Sequence, residues 1–141
     1  MTKVRPHFRL KEFVPPNIYD EFGGKSIWFL DQRMLDLAEF YRTFFDAPVT
    51  VNTWHRGGNM SLRGYRPPMT NTGATFSQHK FGRAFDCTIE GYSPDEVRQT
   101  IFEHEQVFMD KGLTTLESGQ KAPTWVHSDI RHTTQDTIKV V

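Results

Sequence analysis

The strongest periodicity in the chain runs from residue 31 to about residue 45. Met34, Leu35, Ala38, Tyr41, Phe44 and Phe45 recur there at spacings of one, three and four, one apolar stripe that predicts an amphipathic helix. Asp31 stands where an N-cap or first-turn acid helps. Pro48 forbids continuation, and residues 49–53 read as a short strand. A second strand is expected over 84–90, with Phe85, Cys87 and Ile89 pointing one way and Ala84, Asp86 and Thr88 the other. Ser93-Pro94-Asp95-Glu96 then opens a second helix: Ser93 caps, Pro94 suits the first turn and Glu96 completes a capping box. Its buried face is Val97, Ile101, Phe108 and Met109, and Gly112 is a natural stop. Residues 113–117 and 124–131 read as two strands joined by the loop 118–123.

Two stretches lack such a pattern. Residues 1–30 are punctuated by Pro15-Pro16 and Gly23-Gly24 and are expected to be an irregular arm, packed on the domain through Phe8, Leu10, Phe13, Ile18 and Phe22. Residues 55–78 hold four glycines and two prolines, a length of loop that is uncommon unless it does something. The order helix, strand, long loop, strand, helix, hairpin predicts a single α+β domain over 1–141. Its sheet is small and mainly antiparallel, with two main helices packed on it.

Composition narrows the function classes. The 141 residues suit one domain, and twelve Phe, three Trp and four Tyr supply a core. Seventeen basic and seventeen acidic residues give zero formal charge, which argues against nucleic acid or an anionic membrane as partner. Cys87 is the single cysteine, so an internal disulfide and a thiolate-rich zinc site are both excluded. Beside Phe85 and Ile89 it reads as a small buried hydrophobe. No stretch approaches the ~20 apolar residues of a membrane span, and the first residues lack the apolar core of a signal peptide. Synthesis in a reducing cytoplasm is expected, with release by another agent if the protein acts outside, and a monomer is expected.

On the last strand Trp125, His127, Asp129 and Arg131 share one face, while Val126, Ser128 and Ile130 share the other. The apolar pair claims the core, so His127 and Asp129 turn towards a cleft. Regular pairing of the hairpin brings Glu117 near His127 on the same side. His79 ends the long loop and Asp86 projects from the polar face of the strand seven residues later, with Gly82 letting the backbone turn between them. Two imidazoles and a carboxylate suit one Zn²⁺, and three protein ligands leave a fourth position open, as in catalytic sites.

Ser77-x-His79-x-x-Gly82-x-Ala84-x-Asp86, followed by Glu117 and by Trp125-x-His127-x-Asp129, resembles the signature of the D-alanyl-D-alanine peptidase family of zinc peptidases, in the clan of the hedgehog signalling domain. Residues 49–56 resemble the strand of that family which ends in a substrate-binding arginine, here Arg56. The likeness covers roughly residues 30–131. It implies a hedgehog/DD-peptidase-like fold and metal-assisted hydrolysis of peptidoglycan stem or cross-link peptides, as a carboxypeptidase or an endopeptidase. It also implies a phage or prophage lysis or virion protein. Many members carry an acidic base three residues before the last ligand, where this chain has Thr124. The hedgehog-like arrangement moves the general base to Glu117, with Asp129 as competitor. Arg56 would clamp a substrate carboxylate with two parallel hydrogen bonds. Ser77 would hydrogen-bond within the substrate side of the site rather than act as a nucleophile, since no base is placed to activate it.

Blander readings stand beside these. Any one of the histidines alone is an ordinary loop or edge residue, Asp129 can fix the tautomer of a ligand histidine, and Arg56 can brace the long loop. A non-catalytic zinc module of the same fold, or a wall-binding domain of a larger lytic assembly, are the competing functions. His7, His104 and His132 are left outside the site, and the role of His55 is open.

Overall fold

The computed structural model describes residues 2–141. The helical stripe forms as its spacing demands. Asp31 accepts a hydrogen bond from the Arg33 amide at 2.9 Å and caps a helix over Gln32–Phe44, which buries Met34, Leu35, Leu37, Ala38 and Tyr41. Asp46, at φ 49°, turns the chain out of that helix into the short strand Val49–Thr50. The later helix begins on the Ser93–Glu96 capping box and spans Pro94–Glu103. It does not run unbroken to Gly112. His104 leaves helical geometry (φ −124°, ψ 36°), its ring nitrogen lies 3.0 Å from the Thr100 carbonyl, and a separate helix follows over Glu105–Asp110.

In chain order the strands are β1 (Lys3–Arg5), β2 (Phe8–Arg9), β3 (Val49–Thr50), β4 (Ala84–Ile89), β5 (Thr115–Leu116), β6 (Val126–Asp129) and β7 (Lys139–Val140). The helices are α1 (Pro16–Phe22), α2 (Gln32–Phe44), α3 (Pro94–Glu103) and α4 (Glu105–Asp110). β3 to β7 make one sheet in the order β3-β4-β6-β5-β7, antiparallel except for the last pair. The class is therefore α+β with a mostly antiparallel sheet. β7 has no counterpart among the expected strands. It is two residues long and exists by parallel pairing with β5 rather than by a local pattern.

The pleat sorts β4 and β6 into two faces. Phe85, Cys87, Val126 and Ser128 lie under α2, α3 and α4, where Phe108 packs edge-on against Phe40, Tyr41 and Phe44. Buried Ser128 and Tyr41 join their hydroxyls at 2.7 Å, so these two polar groups in the apolar layer satisfy each other. Asp86 and His127 are opposed in the β4–β6 register and belong to the other face.

That second face is covered by the long loop, and the arm holds the loop down. The arm is more regular than expected: it forms the β1–β2 hairpin, α1 and a 3-10 stretch over Gly23–Phe29. Phe8, Leu10, Phe13 and Ile18 are buried, whereas Phe22 is 39% exposed. Its backbone ties the loop by Tyr65 N–H to Phe13 O at 2.7 Å, and the Val14 carbonyl accepts from the side chains of Asn52 and Trp54. Gly64 is tucked so closely under Phe13 that a Cβ there would strike the Phe13 carbonyl. Among the described residues no helix is long and apolar enough to cross a membrane.

Candidate metal centre and cleft

His79 sits on a 3-10 turn over Gln78–Phe81. The Ser77 hydroxyl caps that turn by accepting from the His79 amide at 3.3 Å, and Gly82 ends it at φ 68°. The ring is 1% exposed. Its Nδ1 lies 2.7 Å from the Gly64 carbonyl oxygen. A carbonyl only accepts, so Nδ1 carries the proton and Nε2 keeps a lone pair.

His127 reaches the same point from β6 with the opposite nitrogen. Its Nε2 donates to Asp129 Oδ2 at 2.8 Å, which leaves Nδ1 to face inward. Asp129 is held in turn by Arg131, through Nε at 2.9 Å, Nη2 at 2.6 Å and the backbone amide at 3.1 Å. Asp86 closes the triangle from β4. Its Oδ1 is 2.9 Å from His127 Nδ1 and 3.2 Å from His79 Nε2, and the two nitrogens are 3.2 Å apart. Arg66 steadies the other oxygen, Oδ2, at 3.2 Å, and is itself anchored by donating from Nε to the Leu62 carbonyl at 2.8 Å.

The three atoms could hold a metal ion. Zn²⁺ bonds of ~2.0–2.1 Å in tetrahedral geometry separate neighbouring ligand atoms by roughly 3.3 Å, close to all three observed edges. Each imidazole also has its remote N–H fixed by an acceptor, the usual support of a metal-binding histidine. The donor set and its spacing thus fit zinc.

With protons alone in the cluster, the charges settle differently. Burial opposes ionisation of Asp86, but the facing imidazoles and their hydrogen bonds hold its carboxyl well below the ordinary carboxylate range. Burial likewise dominates at His79 and lowers its pKa. At His127 burial works the same way, yet hydrogen bonds to Asp129 and Asp86 overcome it and push the pKa up to about 9. The proton that a metal displaces is therefore the one on His127.

The triad opens on a hollow of about 460 Å³ that Ser77, Glu117, Lys121 and Trp125 also line. Glu117 follows β5, and its amide donates to the His127 carbonyl at 3.3 Å, which sets the residue beside the triad. Asp129 is fully buried and committed to His127 and Arg131, so it orients the His127 ring and does not line the hollow.

Arg56 is not brought to the cleft. β3 ends at Thr50, residues Trp54–Arg56 form a 3-10 turn, and the exposed Arg56 side chain returns to within 3.5 Å of Thr50 Oγ1 and near Glu12. The structure corrects the expectation: Arg66, ten positions on, is the arginine beside the triad. Gly64 and Arg66 are residues that the sequence leaves unread, and Arg131 is placed on the face of His127 without a role. The first two lie in a loop without period, although Arg131 shares the His127–Asp129 alternation. No family model, curated protein or solved structure matches the chain.

Proposed function

We propose that this protein is a zinc-dependent peptidase that hydrolyses peptide bonds of bacterial peptidoglycan. The observation that carries the proposal is the inward triangle of His79 Nε2, Asp86 Oδ1 and His127 Nδ1, set in an open hollow that also holds a carboxylate. A purely structural zinc site is closed by four protein ligands, whereas three ligands in a cleft leave room for a substrate. When bound, zinc supplies a Lewis acid that brings the pKa of water to about 7 and polarises a carbonyl. Glu117 takes the proton from the attacking water and delivers it to the departing amine. Gly64 and Asp129 keep both imidazoles in the ligating tautomer throughout. The choice of peptidoglycan rests on the resemblance of the His79–Asp86 and His127 motifs to the D-alanyl-D-alanine peptidase family.

Metal analysis combined with digestion of purified peptidoglycan tests this. One zinc per chain and new amino termini are expected. In Glu117→Gln the zinc should remain while the rate falls by roughly 10²–10⁴, the usual contribution of general acid–base catalysis. Zinc-loaded wild-type protein that releases no amine from peptidoglycan would overturn the enzymatic reading and leave a zinc-binding module.

A further inference from the structure

Arg131 is a wall of two separate hollows. One is the hollow over the triad, and the other, of about 350 Å³, has Arg33 and Arg83 as its further charged walls. His132, Thr114 and Thr133 complete the polar lining of this second hollow, and no acidic side chain is among its walls. The three guanidiniums come from segments far apart in sequence. Arg33 belongs to the first turn of α2, Arg83 immediately precedes β4, and Arg131 lies two residues past β6. No step of the peptidase reading uses this place.

The carboxylates that these arginines meet stand behind the walls and brace them. Asp129 accepts from Arg131 Nε at 2.9 Å and Nη2 at 2.6 Å, and Asp31 accepts from Arg33 Nε at 3.1 Å and Nη2 at 2.7 Å. Each brace fixes one edge of a guanidinium and leaves the Nη1 donors uncommitted. Arg83 leans on the same Asp31, with Nε 3.7 Å from Oδ2, too long for a hydrogen bond. Two guanidiniums thus share a single carboxylate, and a positive charge is left over. The Arg83 backbone is firmly held: its amide donates to the Gln78 carbonyl at 3.1 Å, and its carbonyl accepts from the Ile130 amide at 3.1 Å. A guanidinium offers paired donors that match phosphate or carboxylate oxygens. Three such groups around one concavity exceed what the two oxygens of a carboxylate can take up. A phosphate ester brings three acceptor oxygens and nearly two negative charges at neutral pH.

We infer that this second hollow binds a phosphate group between Arg33, Arg83 and Arg131, as the free ion or as a monoester. Arg33 and Arg83 are exposed and leave the entrance open, while partly buried Arg131 is the fixed inner contact. The site is distinct from the metal centre, and it stands whether or not the protein cuts peptides.

The test titrates inorganic phosphate and glycerol 3-phosphate into the full chain, metal-free and zinc-loaded, at neutral pH and constant ionic strength. Calorimetry reads the affinity, and the arginine Nε–H signals in ¹⁵N NMR read the place. One phosphate should bind the metal-free chain and move the signals of Arg33, Arg83 and Arg131. Arg83→Gln should raise the Kd roughly tenfold, the loss of one charge-assisted hydrogen bond. That variant is the decisive one, because backbone bonds rather than the side chain hold residue 83 in place. Arg83→Lys keeps the charge without the planar fork and should recover only part of the affinity. Tighter binding of glycerol 3-phosphate supports the site with an ester as occupant, and tighter binding of inorganic phosphate supports it with the free ion. Binding confined to the zinc-loaded chain would place the phosphate on the metal and overturn the inference. An unchanged Kd in Arg83→Gln, or acetate binding as tightly as phosphate, would overturn it as well.

Discussion

At the scale of single residues, the centre is decided by where each imidazole puts its proton. His79 spends its Nδ1–H on a backbone carbonyl and His127 spends its Nε2–H on a carboxylate, so two different nitrogens converge on one point. The charged partner matters for pH. The folded-state pKa of His127 is raised to about 9 from 6.5, so the protonated ring stabilises the metal-free fold fully below about pH 6.5, and that stability is lost as pH rises through about 9. Burial lowers the His79 pKa below 6.5, so His79 works the other way, adding stability as pH rises through about 6.5 and nothing further once the unfolded ring is neutral, which leaves the upper part of the window to His127. Thermal melts of chelated protein should show Tm falling between pH 6.5 and 9, while zinc affinity rises over the same interval as the competing proton leaves. A flat Tm across the window would show that Asp129 and Asp86 do not hold that proton. The ligands were legible because β alternation and fixed spacing govern His79, Asp86 and His127. Arg56 misled because a strand was extended beyond Thr50, and nothing local marks the turn that sends its side chain back.

At the scale of elements, the place of His79 in the triad depends on the short turn that ends at Gly82. Gly82 has φ 68°, and a Cβ there would land on the Phe29 carbonyl oxygen. Its own carbonyl accepts from the Asp31 amide at 3.0 Å, which ties the His79 turn to the start of α2. Gly82→Ala should therefore cost at least about 1–3 kcal/mol of stability, from left-handed strain and from displacement of the 3-10 stretch. It should also lower the zinc stoichiometry. Denaturant melts and metal analysis on the same sample check this, and a variant of wild-type stability would contradict it. The capping box of α3 is a local signal and marks its start, whereas the apolar stripe that predicts one helix to Gly112 does not register the break at His104. β5 and β7 are two residues each and owe their existence to neighbours distant in sequence. The arm was expected to be irregular because Pro15-Pro16 and Gly23-Gly24 break its pattern, yet those residues delimit α1 and open the 3-10 stretch.

At the scale of the whole molecule, the sheet separates stability from chemistry. One face carries the aromatic layer around Phe108, the other the hollow over the triad. Phe108 is fully buried, so Phe108→Ala should destabilise the fold by about 3–5 kcal/mol. Zinc affinity, measured well below the lowered Tm, should be unchanged. A large loss of zinc affinity in folded protein would show that the two faces are coupled.

The opposition of Asp86 to His127 across β4 and β6 has a further consequence for folding. Side chains alternate with period two, so a slip of β4 by a single residue exchanges its faces. The hollow would then meet Cys87, whose thiol is now fully buried and has its pKa pushed up by that burial. In place of a carboxylate the chain would present a soft sulfur donor, and Asp86 would be driven under the helices without a counter-charge. Strand alignment thus decides which chemistry the hollow presents: the native alignment turns the Asp86 carboxylate towards it and keeps the Cys87 thiol buried under the helices.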